Sequence, residues 1–176
     1  IRTAVDSILG QTYDNVQFIA VNDASTDGTG DILRSYSDPR VEVYDLPVNC
    51  HAAYARNYAL QFARGDYISF LDDDDFWHER KLEKQLAVLE SNEAYGACFN
   101  WASIVDENGD IRNDEDGDVA WLNKAFHTEI QGQKEYLMHF LTKGNCIHSG
   151  SSLIRTEILR RVGGQNMSLI QLHDFD

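Results

Sequence analysis

Four adjacent carboxylates, Asp72-Asp73-Asp74-Asp75, follow the apolar run Tyr67-Ile68-Ser69-Phe70-Leu71 and precede Phe76-Trp77. Like charges a few ångströms apart repel unless a cation or hydrogen-bond donors neutralise them. In an extended backbone, side chains alternate faces, so Asp72 and Asp74 would point one way and Asp73 and Asp75 the other. The simplest partner is a hard divalent cation, Mg²⁺ or Mn²⁺, held by one or two carboxylates together with substrate phosphates. Helix capping is the competing use, since aspartate suits the positive end of the helix that follows. A cap needs one carboxylate or two. Four, at the carboxyl end of a buried strand where open α/β sheets bind ligands, exceed that need.

Three other stretches carry polar chemistry. Asn22-Asp23-Ala24-Ser25-Thr26-Asp27-Gly28-Thr29 lies where an apolar strand gives way to a helix. Backbone N–H groups and small hydroxyls there suit nucleotide contact, and Asp23 could accept hydrogen bonds from a base or ribose. Ordinary turn chemistry, with Ser25, Thr26 or Asp27 as the cap, accounts for the same residues. Arg56 sits in an otherwise small or apolar helix and could face the acidic strand end or a phosphate; it reads equally well as a surface arginine. His173-Asp174-Phe175-Asp176 closes the chain. There a carboxylate within reach of an acceptor hydroxyl could act as general base, or simply cap a helix.

The elements that must position these groups alternate. A helix over residues 1–9 stops at Gly10; a strand over 16–22 leads to a helix over 31–36, which Asp38-Pro39 breaks. A short strand over 41–44, a helix over 52–63 closed by Gly65, the strand from Tyr67 and a helix over 81–89 follow, and then an apolar stretch over 95–101. Strand, helix, strand, helix predicts a parallel, doubly wound α/β core. Residues 104–111 predict a hairpin with an Asn-Gly turn, 112–132 an acidic, irregular segment, and 133–141 a helix. Ser149 to Ile154 reads as a strand, and 157–162 as a helix ended by Gly163-Gly164.

A chain of 176 residues suits one domain with a sizeable core. Its net charge of −14 argues against nucleic acid or an anionic membrane surface as main partner, although a metal-neutralised polyphosphate stays compatible. Cys50, Cys98 and Cys146 are three in number and lack CxxC spacing, so Cys50-His51 and Cys146-Ile147-His148 do not form a zinc pattern, and reduced thiols are expected. No signal peptide or membrane-spanning run is visible. The ends read as cut, the first already inside an amphipathic pattern (Ile1, Ala4, Val5, Ile8), as though a preceding strand were missing.

Taken in order, the motifs resemble the family 2 glycosyltransferases of the GT-A fold. The resemblance runs from Ala4-Val5-Asp6-Ser7-Ile8-Leu9-Gly10-Gln11-Thr12-Tyr13 through Val21 to Thr29, Ala55-Arg56-Asn57 and Arg64 to Trp77, and ends on His173-Asp174-Phe175-Asp176. It implies an α/β, GT-A-like doubly wound (Rossmann-like) and mostly parallel sheet flanked by helices. The chain would be a single catalytic domain over 1–176, its nucleotide-binding half over 1–101 and its acceptor side over 102–176. The implied activity is metal-dependent, inverting transfer of a sugar from a nucleotide-sugar donor, a UDP-sugar above all, to a hydroxyl of a saccharide or lipid-linked acceptor in surface glycan synthesis. Asp74 would hold the divalent metal, Mn²⁺ or Mg²⁺, as the last residue of the DXD motif. Asp72 or Asp73 would contact the ribose, Asp23 the base, and Arg56 would lie near the nucleotide. Asp174 would be the base that deprotonates the acceptor; His173 stands where the family has glutamate. The resemblance further implies a cytoplasmic site at the inner membrane face, with peripheral association through regions outside this chain. A nucleotidyltransferase and a non-catalytic nucleotide-sugar-binding module are the alternatives.

Overall fold

A computed structural model describes residues 1–112 and 148–167. The expected acidic segment beyond residue 112, the helix over 133–141, Cys146 and the closing His173-Asp174 motif lie outside the described residues.

The predicted alternation is present. Helix α1 (Arg2–Leu9) leads to strand β1 (Phe18–Asn22), α2 (Thr29–Arg34), β2 (Val41–Asp45), α3 (His51–Leu60), β3 (Tyr67–Ile68), α4 (Lys81–Ser91) and β4 (Ala97–Phe99). A 3-10 turn over Ser149–Ser151 then runs directly into β5 (Ser152–Arg155) and α5 (Thr156–Val162). The apolar positions explain the packing. Ala4, Val5 and Ile8 share one face of α1 and are buried. Val5, Ala20 and Leu33 form a cluster with Phe18 and Val43, so α1 and α2 cover the β1–β2 pair. Leu82, Leu86 and Leu89, spaced at helical period, pack with Leu153, Tyr67 and Trp77, so α4 covers the second sheet.

The sheet departs from the parallel expectation in an instructive way. β1 and β2 pair in parallel, Phe18 opposite Val41. β3, β5 and β4 form a second sheet in which β5 lies between the other two and antiparallel to both. β3 and β4 therefore run in the same direction, as a strand–helix–strand crossover requires. The later strand β5 takes the place between them, and nothing in a strand's own pattern encodes that insertion.

The strand from Tyr67 is also shorter than expected, because only Tyr67 and Ile68 pair with β5. Beyond them Ser69 donates its hydroxyl to the Ser152 carbonyl. The partner chain before Ser152 is coiled in the 3-10 turn, so the ladder has nothing to continue against. The hairpin expected over 104–111 is present as a single bridge, Val105 to Ile111, with Gly109 at φ +86° in its turn.

Candidate active site

A cavity of about 900 Å³ opens between β1 and β3, and its lining includes Asp23, Arg56, Asp72 and Asp73. Four of the residues singled out in the sequence, from three separate segments, thus share one space. Asp74 does not line it and is exposed on the turn beside it.

Asp23 follows the last residue of β1. One carboxylate oxygen accepts the Cys50 N–H at 2.7 Å, and the Asp23 carbonyl accepts the Asn49 side-chain amide at 3.1 Å. These bonds tie the end of β1 to the start of α3. The residues beside them, Ala24 (φ +59°) and His51 (φ +68°), hold left-handed backbone conformations that a side chain disfavours. Such strain costs about 1–3 kcal/mol per residue and persists where surrounding structure over-determines it, often at functional sites. Asn22, nearly buried, fixes the same corner by donating to Asp45 at 2.7 Å and accepting the Ser25 N–H at 3.1 Å. The residue that caps α2 is Gly28, at φ +85°, and not Ser25, Thr26 or Asp27; Asp27, just before it, accepts both the N–H and the hydroxyl of Thr29. Those two bonds hold its pKa below the usual carboxylate range.

The acidic run does not stay extended. The Asp75 N–H donates to the Asp72 carbonyl at 3.2 Å, which closes a four-residue turn over Asp72 to Asp75. The expected alternation, Asp72 with Asp74 and Asp73 with Asp75, is therefore replaced. It is Asp72 and Asp75 that meet the segment around Ser149: Ser149 Oγ lies 3.3 Å from Asp72 Oδ2, and His148 Nε2 lies 3.5 Å from Asp75 Oδ2. Arg56, its side chain only 10% exposed, places Nη2 2.5 Å from Asp72 Oδ1. Burial pushes the Asp75 carboxyl above its usual range; His148 opposes this, while Asp74, Asp72 and Asp73 add to it. Nearby negative charge that raises a carboxyl in this way is what a cation would relieve.

Among the described residues no three His, Cys, Asp or Glu side chains converge as a metal cage. A cation such as Mg²⁺ or Mn²⁺ that shares its shell with substrate phosphates needs only one or two carboxylates, and the exposed Asp73 and Asp74 fit that donor set.

Sequence reasoning missed the supports of this turn. Gln11, nearly buried after α1, donates to the Ser7 and His78 carbonyls and accepts the Leu82 N–H at 3.0 Å. Ser7 Oγ accepts the Trp77 N–H at 3.0 Å, and Trp77 Nε1 donates to the Gly150 carbonyl at 3.0 Å. The small-residue run Ser149-Gly150-Ser151-Ser152 was the available signal, because only small residues let another chain approach so closely.

Lys81 lies behind the turn, 6% exposed, with Nζ 2.8 Å from Ser69 Oγ, 3.2 Å from the Ser152 carbonyl and 4.1 Å from the centroid of the Trp77 ring. Burial lowers its pKa to about 7, although Cys98 and the face of Trp77 favour the ammonium form. Between pH 7 and the unfolded value near roughly 10.4 the unfolded chain binds more protons, so stability rises with pH across that window. Against Lys81→Met, which has no such titration, the wild type is expected to gain about 3 kcal/mol between pH 7 and 10. Denaturant melts of both proteins at the two pH values measure this; parallel behaviour would show that Lys81 titrates normally.

Comparisons with known proteins agree with this architecture. The family described as Glycosyl transferase family 2 matches residues 1–162. TuaG of Bacillus subtilis, named for teichuronic acid biosynthesis, is 48% identical over 91 residues, 51% of this chain and 36% of that protein. WfaP of Escherichia coli, a UDP-Glc:alpha-D-GlcNAc-diphosphoundecaprenol beta-1,3-glucosyltransferase, is 39% identical over 101 residues, 57% of this chain and 40% of its own. The chain thus spans less than half the length of these relatives. Among solved structures, S. aureus TarS 1-349 in complex with UDP superposes with a TM-score of 0.71 at 20% identity, covering 99% of this chain and 48% of that one. The mannosyltransferase PcManGT from Pyrobaculum calidifontis, in complex with GDP-Man and Mn²⁺, gives 0.64 at 22% identity, covering 95% and 44%. The fold is accordingly that of the GT-A glycosyltransferases, and the chain belongs to glycosyl transferase family 2.

Proposed function

We propose that this chain is the donor-binding part of a metal-dependent, inverting glycosyltransferase that moves a sugar from a UDP-sugar to a hydroxyl acceptor, saccharide or lipid-linked, in surface polysaccharide synthesis. The observation that carries the reading is the single cavity lined by Asp23, Arg56, Asp72 and Asp73 beside the exposed Asp74. The family supports it, as do relatives named for teichuronic acid and lipid-diphosphate glycan transfer and the neighbours solved with UDP and with GDP-Man and Mn²⁺.

The roles are those that the resemblance to the family implies, and the geometry is compatible with them. Asp23, anchored to the start of α3, presents an acceptor to the nucleotide base. Asp72 or Asp73 accepts from the ribose hydroxyls, and Arg56, paired with Asp72 Oδ1, keeps that carboxylate aimed. Asp74 holds the divalent cation, which when bound neutralises charge gathering on the departing diphosphate. Asp174 takes the proton from the acceptor oxygen as it attacks the anomeric carbon from the face opposite the diphosphate. That single displacement inverts the anomeric centre.

Among the described residues no helix is long and apolar enough to cross a membrane. Where the protein acts is inferred from the lipid-linked acceptor in a relative's name, and peripheral association at the cytoplasmic face fits that acceptor.

A thermal-shift panel of nucleotide sugars on the intact protein, with and without Mn²⁺, tests the donor. A ligand that binds only the folded state at a hundred times its Kd stabilises by about 2.7 kcal/mol. Metal-dependent stabilisation by one UDP-sugar, with release of a nucleoside diphosphate on adding acceptor, is expected. Release of pyrophosphate would indicate nucleotidyl transfer instead, and donor binding without turnover a non-catalytic module.

A further inference from the structure

We propose that His148 and Ser149 are positioning residues for the acidic turn: a clamp from the second half of the chain that orients Asp72 and Asp75 and thereby leaves Asp73 and Asp74 to the donor and its cation. The inference rests on the donor-site reading above and deepens it.

Four adjacent carboxylates cannot all point into one site at a tolerable electrostatic cost. The structure divides them. Asp72 is held from both sides, Oδ1 by Arg56 at 2.5 Å and Oδ2 by Ser149 Oγ at 3.3 Å. Asp75, partly buried, faces His148 at 3.5 Å. Asp73 and Asp74 are exposed and make no hydrogen bond or ion pair with another described side chain. A third contact, Trp77 Nε1 to the Gly150 carbonyl at 3.0 Å, holds the clamp against the far end of the same loop.

The clamp is itself built to stay in place. The Ser151 N–H and hydroxyl both donate to the His148 carbonyl, at 2.9 and 2.7 Å, and Ser152 Oγ donates to the Ser149 carbonyl at 3.0 Å. The buried Gln85 reaches from α4 to the Ser151 carbonyl at 2.7 Å. Gly150 suits the approach: a Cβ there would stand 3.3 Å from His148 Nδ1, which would have to shift by a few tenths of an ångström, and in ordinary contact with Asp75 Oδ2 at 3.6 Å. β5 begins at Ser152, so the central strand of the second sheet fixes the clamp's distance from β3.

Groups bonded directly to a metal ligand typically change metal affinity by about 10–100-fold when removed; His148 and Ser149 act through Asp72 and Asp75 on the turn that carries the ligand, so the low end of that range applies. In the intact protein, Ser149→Ala is expected to raise both the Mn²⁺ activation constant and the donor KM by about tenfold with kcat within about twofold, and Ser149→Thr, which keeps the hydroxyl, to restore both. His148→Ala is expected to do the same, and His148→Gln, which keeps a polar side chain beside Asp75, to recover part of the loss. Asp74→Ala is measured alongside. If Asp74→Ala abolishes transfer while Ser149→Ala and His148→Ala keep wild-type Mn²⁺ and donor constants, the clamp is wrong and the donor site stands. If Asp74→Ala transfers normally, the donor-site reading itself fails. A fall in kcat accompanied by a lower melting temperature, without a change in either constant or rescue by threonine, would assign Ser149 a merely structural role and overturn the proposal.

Discussion

Replacing Asp174 with asparagine is expected to lower transfer by about 10²–10⁴-fold, the range for loss of a general base, and to leave donor binding in place. Asparagine has nearly the size of aspartate, so packing is retained, but its amide cannot take the acceptor's proton. An acceptor hydroxyl is a poor nucleophile while it keeps that proton, and the displacement then waits on water or hydroxide. The proposed donor surface is Asp23, Arg56 and Asp72–Asp73, which line one cavity. Nucleotide-sugar and Mn²⁺ thermal shifts of the intact protein should therefore match wild type while kcat falls. This separation identifies the role, because a residue important for folding would lose both together. Transfer by Asp174→Asn within about tenfold of wild type would assign the base elsewhere. The identity of this group comes from its resemblance to the family's acidic pair, with His173 in place of glutamate.

The strand ends that line the cavity were legible in the sequence because their signals are local. An apolar run ending in polar residues marks both Asp23, just after β1, and Asp72, in the turn that follows β3, and strand–helix alternation brings such ends to one side of a sheet. Helices α1 and α4 were equally readable, since Val5 and Ile8, and Leu82, Leu86 and Leu89, repeat at helical period. Long-range placement was not readable. The insertion of β5 between β3 and β4 depends on pairing across more than fifty residues, and a strand's own sequence carries neither its neighbour nor its direction. The orientation of the carboxylates failed for the same reason. Period-two alternation assumes extended backbone, whereas the Asp72 to Asp75 turn forms where the ladder ends, and that end is set by the 3-10 turn at Ser149. Lys81 shows the limit from the other side. Nothing in its helical pattern singles it out, yet the tertiary fold buries it against Ser69, Ser152 and Trp77.

Asp74→Ala is expected to abolish metal-dependent transfer, a loss of about 10²–10³-fold or more, the scale seen when one electrostatic contact to developing charge is removed. The same change should leave the metal-free protein as stable as wild type, or more stable by up to about 1 kcal/mol, because an exposed like charge is taken from a crowded run. That opposition of signs is the useful part. Were the aspartates helix caps, removal of one would cost about 1 kcal/mol of stability and spare the chemistry. The turn already argues for the first outcome. α4 starts at Lys81, its capping residue Arg80 makes no side-chain cap bond, and the carboxylates end five residues earlier at Asp75. Melting temperatures of both proteins without metal, then with Mn²⁺, then with Mn²⁺ and a UDP-sugar, resolve the question in one series. Wild type should rise at each addition and Asp74→Ala should stay level. A variant that melts lower without metal and still climbs on adding Mn²⁺ and donor would return the acidic turn to a structural role.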